Sequence, residues 1–219
     1  MNLESPHERY GFAYDIDQWY EKMKKYTFPT KFLPITKKQA NIFCKQYERI
    51  VLHKKIELTN EEYEILKLLE EEIDKIIQEF NNPVFIRMSA RSPKDAAFQS
   101  EKMRQILKRK LYEMETDNSN DELVQNSEFI AFFESQIESM SVETGQEALE
   151  LLMTSERIYD DLKIAFQYKE DHWNINIVVR QWMSNHNICN EFRGFVYKRK
   201  LVALSQYFDV LYYPDLILK

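Results

Sequence analysis

Glycine occurs only three times in these 219 residues, at Gly11, Gly145 and Gly194. A Walker loop or a dinucleotide-binding turn seats phosphate on backbone amides by means of closely spaced glycines, and no stretch of this chain supplies them. Any phosphate bound here must be held mainly by side chains. The scarcity of glycine therefore removes the commonest nucleotide-binding folds from consideration and directs attention to clusters of cations.

The remaining composition describes a packed protein. Hydrophobic residues make up 44% and aromatics 14%, so the 30% of charged residues decorate a core and do not define a disordered chain. The length permits one large domain, or a domain with a smaller helical companion. A net charge of −6 argues against a general nucleic-acid binder while leaving room for a local basic pocket. Two separate cysteines, Cys44 and Cys189, form neither a disulfide framework nor a metal-ligand pattern, and the four histidines are scattered, so no structural zinc is expected. No window approaches the apolar length of a membrane span, and the opening MNLESPHERYGF lacks the layout of a signal peptide. The expectation is a soluble protein of a reducing compartment, most simply the cytoplasm.

Along the chain, the segment from Tyr14 to Phe43 joins two short helices through YTFPTKFLPI, whose two prolines forbid a continuous helix. LTNEEYEILKLLEEEIDKIIQEF is the clearest helix: Thr59 and Glu62 form a capping box, and Leu66, Leu69, Ile73, Ile76 and Phe80 recur at helical spacing. VFIRMSA, from Val84, changes the period to that of a strand. SEKMRQILKRKLYEME reads as a basic-faced helix, TDNSNDE (Thr116–Glu122) as a loop, and NSEFIAFFESQIESM and TGQEALELLM as further helices. LKIAFQY, INIVVRQWM, EFRGFVYK and LVALSQYF then read as four strands, the last two forming a hairpin about Lys198–Lys200. Helices, one strand, helices and a run of strands make an α+β chain. It divides into a helical N-terminal region, 1–82, and a β-containing region, 83–219, with a helical insertion over about 99–146.

Three constellations carry chemistry. In VFIRMSARSPKDA, period two puts Arg87, Ser89 and Arg91 on one face until Pro93 interrupts the ladder, with Lys94 and Asp95 just beyond. Such a face suits an anion, and equally a solvated, aggregation-blocking edge. In INIVVRQWM, Arg180 and Trp182 share a face, a pairing that suits a nucleotide or an ordinary cation–π contact. In EFRGFV, Glu191 and Arg193 share a face, and the hairpin sets Gln206 about opposite Glu191; the alternative is a structural ion pair.

These blocks, with WYEKMKKYTFPTKFLPI (Trp19–Ile35) and LLMTSERIYDDL (Leu151–Leu162), come in the order found in the cell division cycle protein 123 family, which the chain resembles over nearly its whole length. That family comprises eukaryotic ATP-grasp proteins that act as assembly factors for translation initiation factor eIF-2. The resemblance implies an ATP-grasp-like fold and ATP as cofactor. It also implies that Arg87, Lys94, Arg180 and Arg193 neutralise the phosphates, that Trp182 borders the base, that Asp95 and Glu191 orient those cations, and that Ser92, Gln181 and Gln206 are further nucleotide contacts. Its client would be the eIF-2 gamma subunit.

The chain departs from the family pattern at several positions. Arg87 stands where a lysine is expected, which exchanges a point charge for a planar fork; Ala90 replaces a tryptophan, and Tyr207 an arginine. The segment between Phe98 and Gln146 is longer than usual. Asp209 and Asp215 do not reproduce the D-x-N metal motif of ATP-grasp sites, so Mg2+ is expected only where a downstream segment supplies ligands. No nucleophile or general base stands out. An ATP-grasp ligase acting on a carboxylate or RNA end, and an interaction module that has lost the nucleotide, are the alternatives.

Overall fold

The computed structural model describes residues 14–81, 83–115, 121–167, 172–184, 186–213 and 216. Of the expected loop at Thr116–Glu122, residues 116–120 lie outside that set, and so does Asp215. The protein is α+β, with eight α-helices and two antiparallel sheets among the described residues, and it divides into two compact units.

The first unit takes residues up to Ser100 together with Ser139–Trp182. Helix α1 (Ile16–Met23) leads to strand β1 (Thr30–Pro34), the extended piece that the two prolines predict. Helices α2 (Lys37–Ile50) and α3 (Asn60–Glu79) each open on a complete capping box, Thr36 with Gln39 and Thr59 with Glu62, so two otherwise orphaned amides are satisfied at each start. On α3 the buried stripe is Leu66, Leu69, Ile73 and Ile77. Strand β2 (Val84–Met88) is followed by α4 (Lys94–Gln99), and after the second unit's helices the chain returns through β3 (Ser141–Val142), α7 (Gly145–Thr154), α8 (Glu156–Ala165) and β4 (Asn176–Gln181). The sheet order is β1-β4-β2-β3, antiparallel throughout.

Register assigns the two faces of this sheet. Val84, Ile86, Met88, Val142, Ile177 and Val179 share one face and are all fully or almost fully buried, forming the core with Phe43, Leu69, Ile73, Leu152 and Ile158. Burying these side chains is the main stabilising term of the unit, at roughly 1.5–3 kcal/mol for each. The opposite face carries Thr30, Phe32, Phe85, Arg87, Val178 and Arg180. It is only half buried at both arginines and is partly covered by α1, where Tyr20 meets Phe32 edge to face at 5.4 Å.

The strand expected at Leu162–Tyr168 is corrected: Glu156–Ala165 form helix α8. Ser155 caps it by accepting from the Ile158 amide, and Ile158, Leu162 and Ala165 are buried at spacings of four and three. Viewed from Leu162 onward, only the last turn of that amphipathic pattern is visible, and a fragment so short does not separate period two from period 3.6.

The second unit consists of residues 101–138 and 183–219. Its helices α5 (Glu101–Glu115) and α6 (Asp121–Glu138) are tied by Lys110, which pairs with Glu134 at 2.9 Å and Glu138 at 2.6 Å. Strands β5 (Phe192–Tyr197) and β6 (Lys200–Gln206) make the expected hairpin about Lys198 and Arg199. Gln206 pairs with Phe192, one residue from the expected Glu191; the Glu191 carbonyl instead accepts from the Tyr207 amide at 2.8 Å. Phe208 packs on Phe133, with ring centroids 5.0 Å apart.

Candidate functional site

Two cations stand on the half-buried face of the four-stranded sheet. Register places Phe85 opposite Arg180 and Arg87 opposite Val178, so the arginines are diagonal neighbours on adjacent strands. Arg87 folds back on the turn after β2. Its Nε donates to the Met88 carbonyl at 3.0 Å, and its Nη2 donates to the carbonyls of Ser89 at 3.3 Å and Ala90 at 2.5 Å. Arg180 donates through Nε to Thr30 Oγ1 at 3.2 Å and through Nη2 to Thr27 Oγ1, and its guanidinium lies 5.2 Å from the Phe28 ring centroid.

Neither guanidinium has a carboxylate partner among the described residues, and in each the Nη1 donor is left over from the hydrogen bonds made. Burial therefore acts on both with little compensation. It lowers the proton affinity of Arg87 to a pKa of about 10, with the Arg180 charge adding to the effect, and it lowers that of Arg180 as well. Such a pair gains by binding an anion.

The loop after β2 serves another contact. Arg91 grips Asp161 of α8 through Nε and Nη2 at 2.6–3.0 Å and also donates to the Arg157 carbonyl at 2.9 Å. Asp95 accepts from the Ser155 hydroxyl at 2.6 Å and from the Arg157 amide at 3.2 Å. Ser92 is buried, and Lys94 is half buried at the start of α4. Thus Arg91 and Asp95 fasten the first turn of α8 beside the Arg87 turn. Gln181 is exposed and points to the sheet face opposite Arg180, and Trp182 follows the strand end, half exposed.

Two residues that sequence reasoning missed join this site. Asp15, 5% exposed before α1, has Asp17, Asp161 and Arg87 within electrostatic reach; burial first, then the two like charges, push its carboxyl up to about 7. The adjacent Ile16 amide donates to the Ser89 carbonyl at 3.1 Å, which fixes Asp15 over the same turn that Arg87 binds. Arg157 reaches Arg87 electrostatically. The only signal for Arg157 in the sequence was its place in the block Leu151–Leu162.

Glu191, Arg193 and Gln206 belong to the second unit. Glu191 meets His186 Nε2 at 2.6 Å, Arg193 lies 5.2 Å from the Tyr207 ring centroid, and Gln206 donates to the carbonyls of Phe208 at 2.7 Å and Leu211 at 3.0 Å. Among the described residues no group of three or more His, Cys, Asp or Glu side chains is placed to hold a metal ion. No helix among them is long and apolar enough to cross a membrane.

Comparison with known proteins agrees with this architecture. Residues 126–218 match the model of the D123 family. The fold is similar to that of Cdc123 from Schizosaccharomyces pombe, at 21% identity and a TM-score of 0.59, covering 94% of this chain and 66% of the yeast chain. A C-terminally truncated Cdc123 from the same organism gives a TM-score of 0.60 at the same identity and coverage. The chain thus spans 66% of the length of either structure. No curated protein matches the sequence significantly. The family model matches the C-terminal part of the chain, and the likeness to the two yeast structures is one of fold.

Proposed function

We propose that this Cdc123-like chain binds the phosphates of ATP on the Arg87–Arg180 face of its sheet and acts as an assembly factor for eIF-2 through the gamma subunit. The observation that carries the nucleotide reading is the pair of half-buried guanidiniums on one sheet face, engaged only by neutral carbonyls and hydroxyls. Two desolvated like charges side by side destabilise the empty protein, and a phosphate accepting from both Nη1 donors offsets that penalty with charge-assisted hydrogen bonds. With glycine so scarce, these forks do what backbone amides do in a glycine-rich loop. The family resemblance adds Trp182 beside the base, Ser92 and Lys94 near the phosphates, and the client, whereas the Gln181 side chain faces the other side of the sheet.

The test is calorimetric titration of ATP into the wild type, Arg87→Lys and Arg180→Gln, with and without magnesium. Removing a charged hydrogen-bond donor costs roughly 1.5–3 kcal/mol, about a 10- to 100-fold loss of affinity for Arg180→Gln. Absence of binding to the wild type at millimolar ATP overturns the nucleotide reading in favour of an interaction module. An ATP-dependent product would favour the ligase. The client is tested by capture of the eIF-2 gamma subunit with wild type and Trp182→Ala, and failure of both refutes it.

A further inference from the structure

Strands β5 and β6 form a sheet of their own within the second unit, and every residue from Phe192 to Ser205 is exposed. A two-stranded hairpin with both faces in water is marginal at best. Register sorts its side chains into two unlike faces. Phe192, Val196, Leu201 and Leu204 share one face with Gly194, where a Cβ would come within 3.2 Å of Leu201 Cδ1. No charged side chain stands on it, although Val196 is 70%, Leu201 62% and Leu204 59% exposed. The other face carries Arg193, Phe195, Tyr197 and Lys200, and the turn adds Lys198 and Arg199. In a chain of net charge −6, the stretch from Phe192 to Gln206 thus holds four cations and no Asp or Glu. Cations on a strand often serve only to keep other chains off a free edge. Here they stand at the turn and on one face, and they leave the aliphatic face unguarded. Exposed apolar surface of this kind marks an interaction site.

The regular edge is that of β5. On β6 the extra residue Val202 interrupts the ladder, whereas β5 runs unbroken. The Glu191 carbonyl accepts from the Tyr207 amide, so alternation along the antiparallel pair turns the amide and carbonyl of Gly194 away from β6. No described residue bonds them there, and Gly194 has no side chain to hold an incoming backbone off. We propose that β5 is a docking edge for an acidic, extended polypeptide segment of a partner, which adds to the hairpin as a third strand. Its apolar side chains continue the face of Phe192, Val196, Leu201 and Leu204; its Asp and Glu side chains, alternating with them, meet Arg193 and Lys200. A second copy of the hairpin would set these cations against their own kind, and a nucleic acid would leave the aliphatic face in water.

The experiment adds a fluorescein-labelled synthetic peptide alternating Val and Glu to the full chain and follows anisotropy and amide exchange. It is compared with a peptide alternating Val and Lys, one with the same Val and Glu residues in two blocks, and a single-stranded oligonucleotide. The alternating Val and Glu peptide is expected to bind, to lose affinity as salt is raised, and to slow exchange at the Gly194 amide. The double variant Arg193→Glu, Lys200→Glu is expected to weaken it at least about 10-fold, because carboxylates then face carboxylates. Gly194→Pro is expected to abolish binding by removing the outward donor. Thermal unfolding of each variant controls for folding, and the charge reversal, on exposed side chains, decides where Gly194→Pro unfolds. Failure of the alternating Val and Glu peptide to bind, equal binding of the Val and Lys or the block peptide, or Gly194 exchange unchanged by bound peptide overturns the proposal. Preference for the oligonucleotide overturns it as well, and so does a dimer of the chain that the peptide leaves intact.

Discussion

Replacing Asp15 by asparagine should make the first unit more stable, and increasingly so as pH rises. In the unfolded chain the carboxyl ionises near its ordinary value of 3.8. In the folded protein burial, then Asp17 and Asp161, hold the proton to about 7 against the opposing pull of Arg87. The sign follows from proton counting. Between those two values the native state binds a proton that the unfolded state has lost, so stability falls as pH rises from about 4 to about 7 and stays at its lower level above that. At about 1.4 kcal/mol per pH unit the gap corresponds to a ceiling of about 4 kcal/mol; water reaching the edge of the carboxylate brings the expected value to about 1–3 kcal/mol. An amide in place of the carboxyl removes the ionisation and keeps the shape. The gain from Asp15→Asn should therefore be larger by about 1–2 kcal/mol at pH 8 than at pH 5. Urea unfolding followed by tryptophan fluorescence measures it cleanly, because Trp19, Trp173 and Trp182 all lie in the first unit. An equal effect at the two pH values, or a less stable variant at pH 8, would refute the argument that this carboxyl is desolvated beside like charges.

Two further outcomes follow from backbone geometry. Gly145→Ala should cost about 1–3 kcal/mol, read as a lowered urea midpoint, because the added Cβ would lie 2.4 Å from the Glu70 carbonyl oxygen and main chain cannot swing aside as a side chain can. At the β5–β6 turn both Lys198 (φ 46°) and Arg199 (φ 64°) occupy the left-handed region, so the pair Lys198→Asn with Arg199→Gly should stabilise the hairpin by about 1 kcal/mol and slow amide exchange along both strands; unchanged exchange rates count against it.

Different parts of the molecule were legible to different degrees. Capping boxes, helical stripes and the turn at Lys198–Arg199 are local signals, and α2, α3 and the β5–β6 hairpin follow from them. Arg87 and Arg180 were readable as face residues because a strand's period of two is local as well; that the two strands are neighbours, paired antiparallel in this register, is a tertiary fact. Asp15 is not readable at all, and Arg157 only as a member of the block Leu151–Leu162. Asp15 precedes Arg87 by 72 positions, and a buried carboxyl has no sequence pattern distinct from that of a solvated one. Arg157 sits in a helix whose second half carries a strand-like pattern, and its position depends on hydrogen bonds with residues 66 and 62 positions upstream.

Arg91 and Asp95 show why a motif can be correct in place while its parts differ in task. All the charged residues of VFIRMSARSPKDA lie close together in sequence, and from composition alone each is an equal candidate to touch the anion. Folding separates them by what they meet first. Arg87 meets only carbonyls and keeps a donor in reserve, whereas Arg91 and Asp95 find α8 and spend their hydrogen bonds there. An ion pair already made contributes little further attraction to an incoming phosphate, since its charge is locally balanced. The cations on which the proposed anion contact rests are thus those that no carboxylate hydrogen-bonds among the described residues, Arg87 and Arg180, and their desolvation is what would make the pull strong.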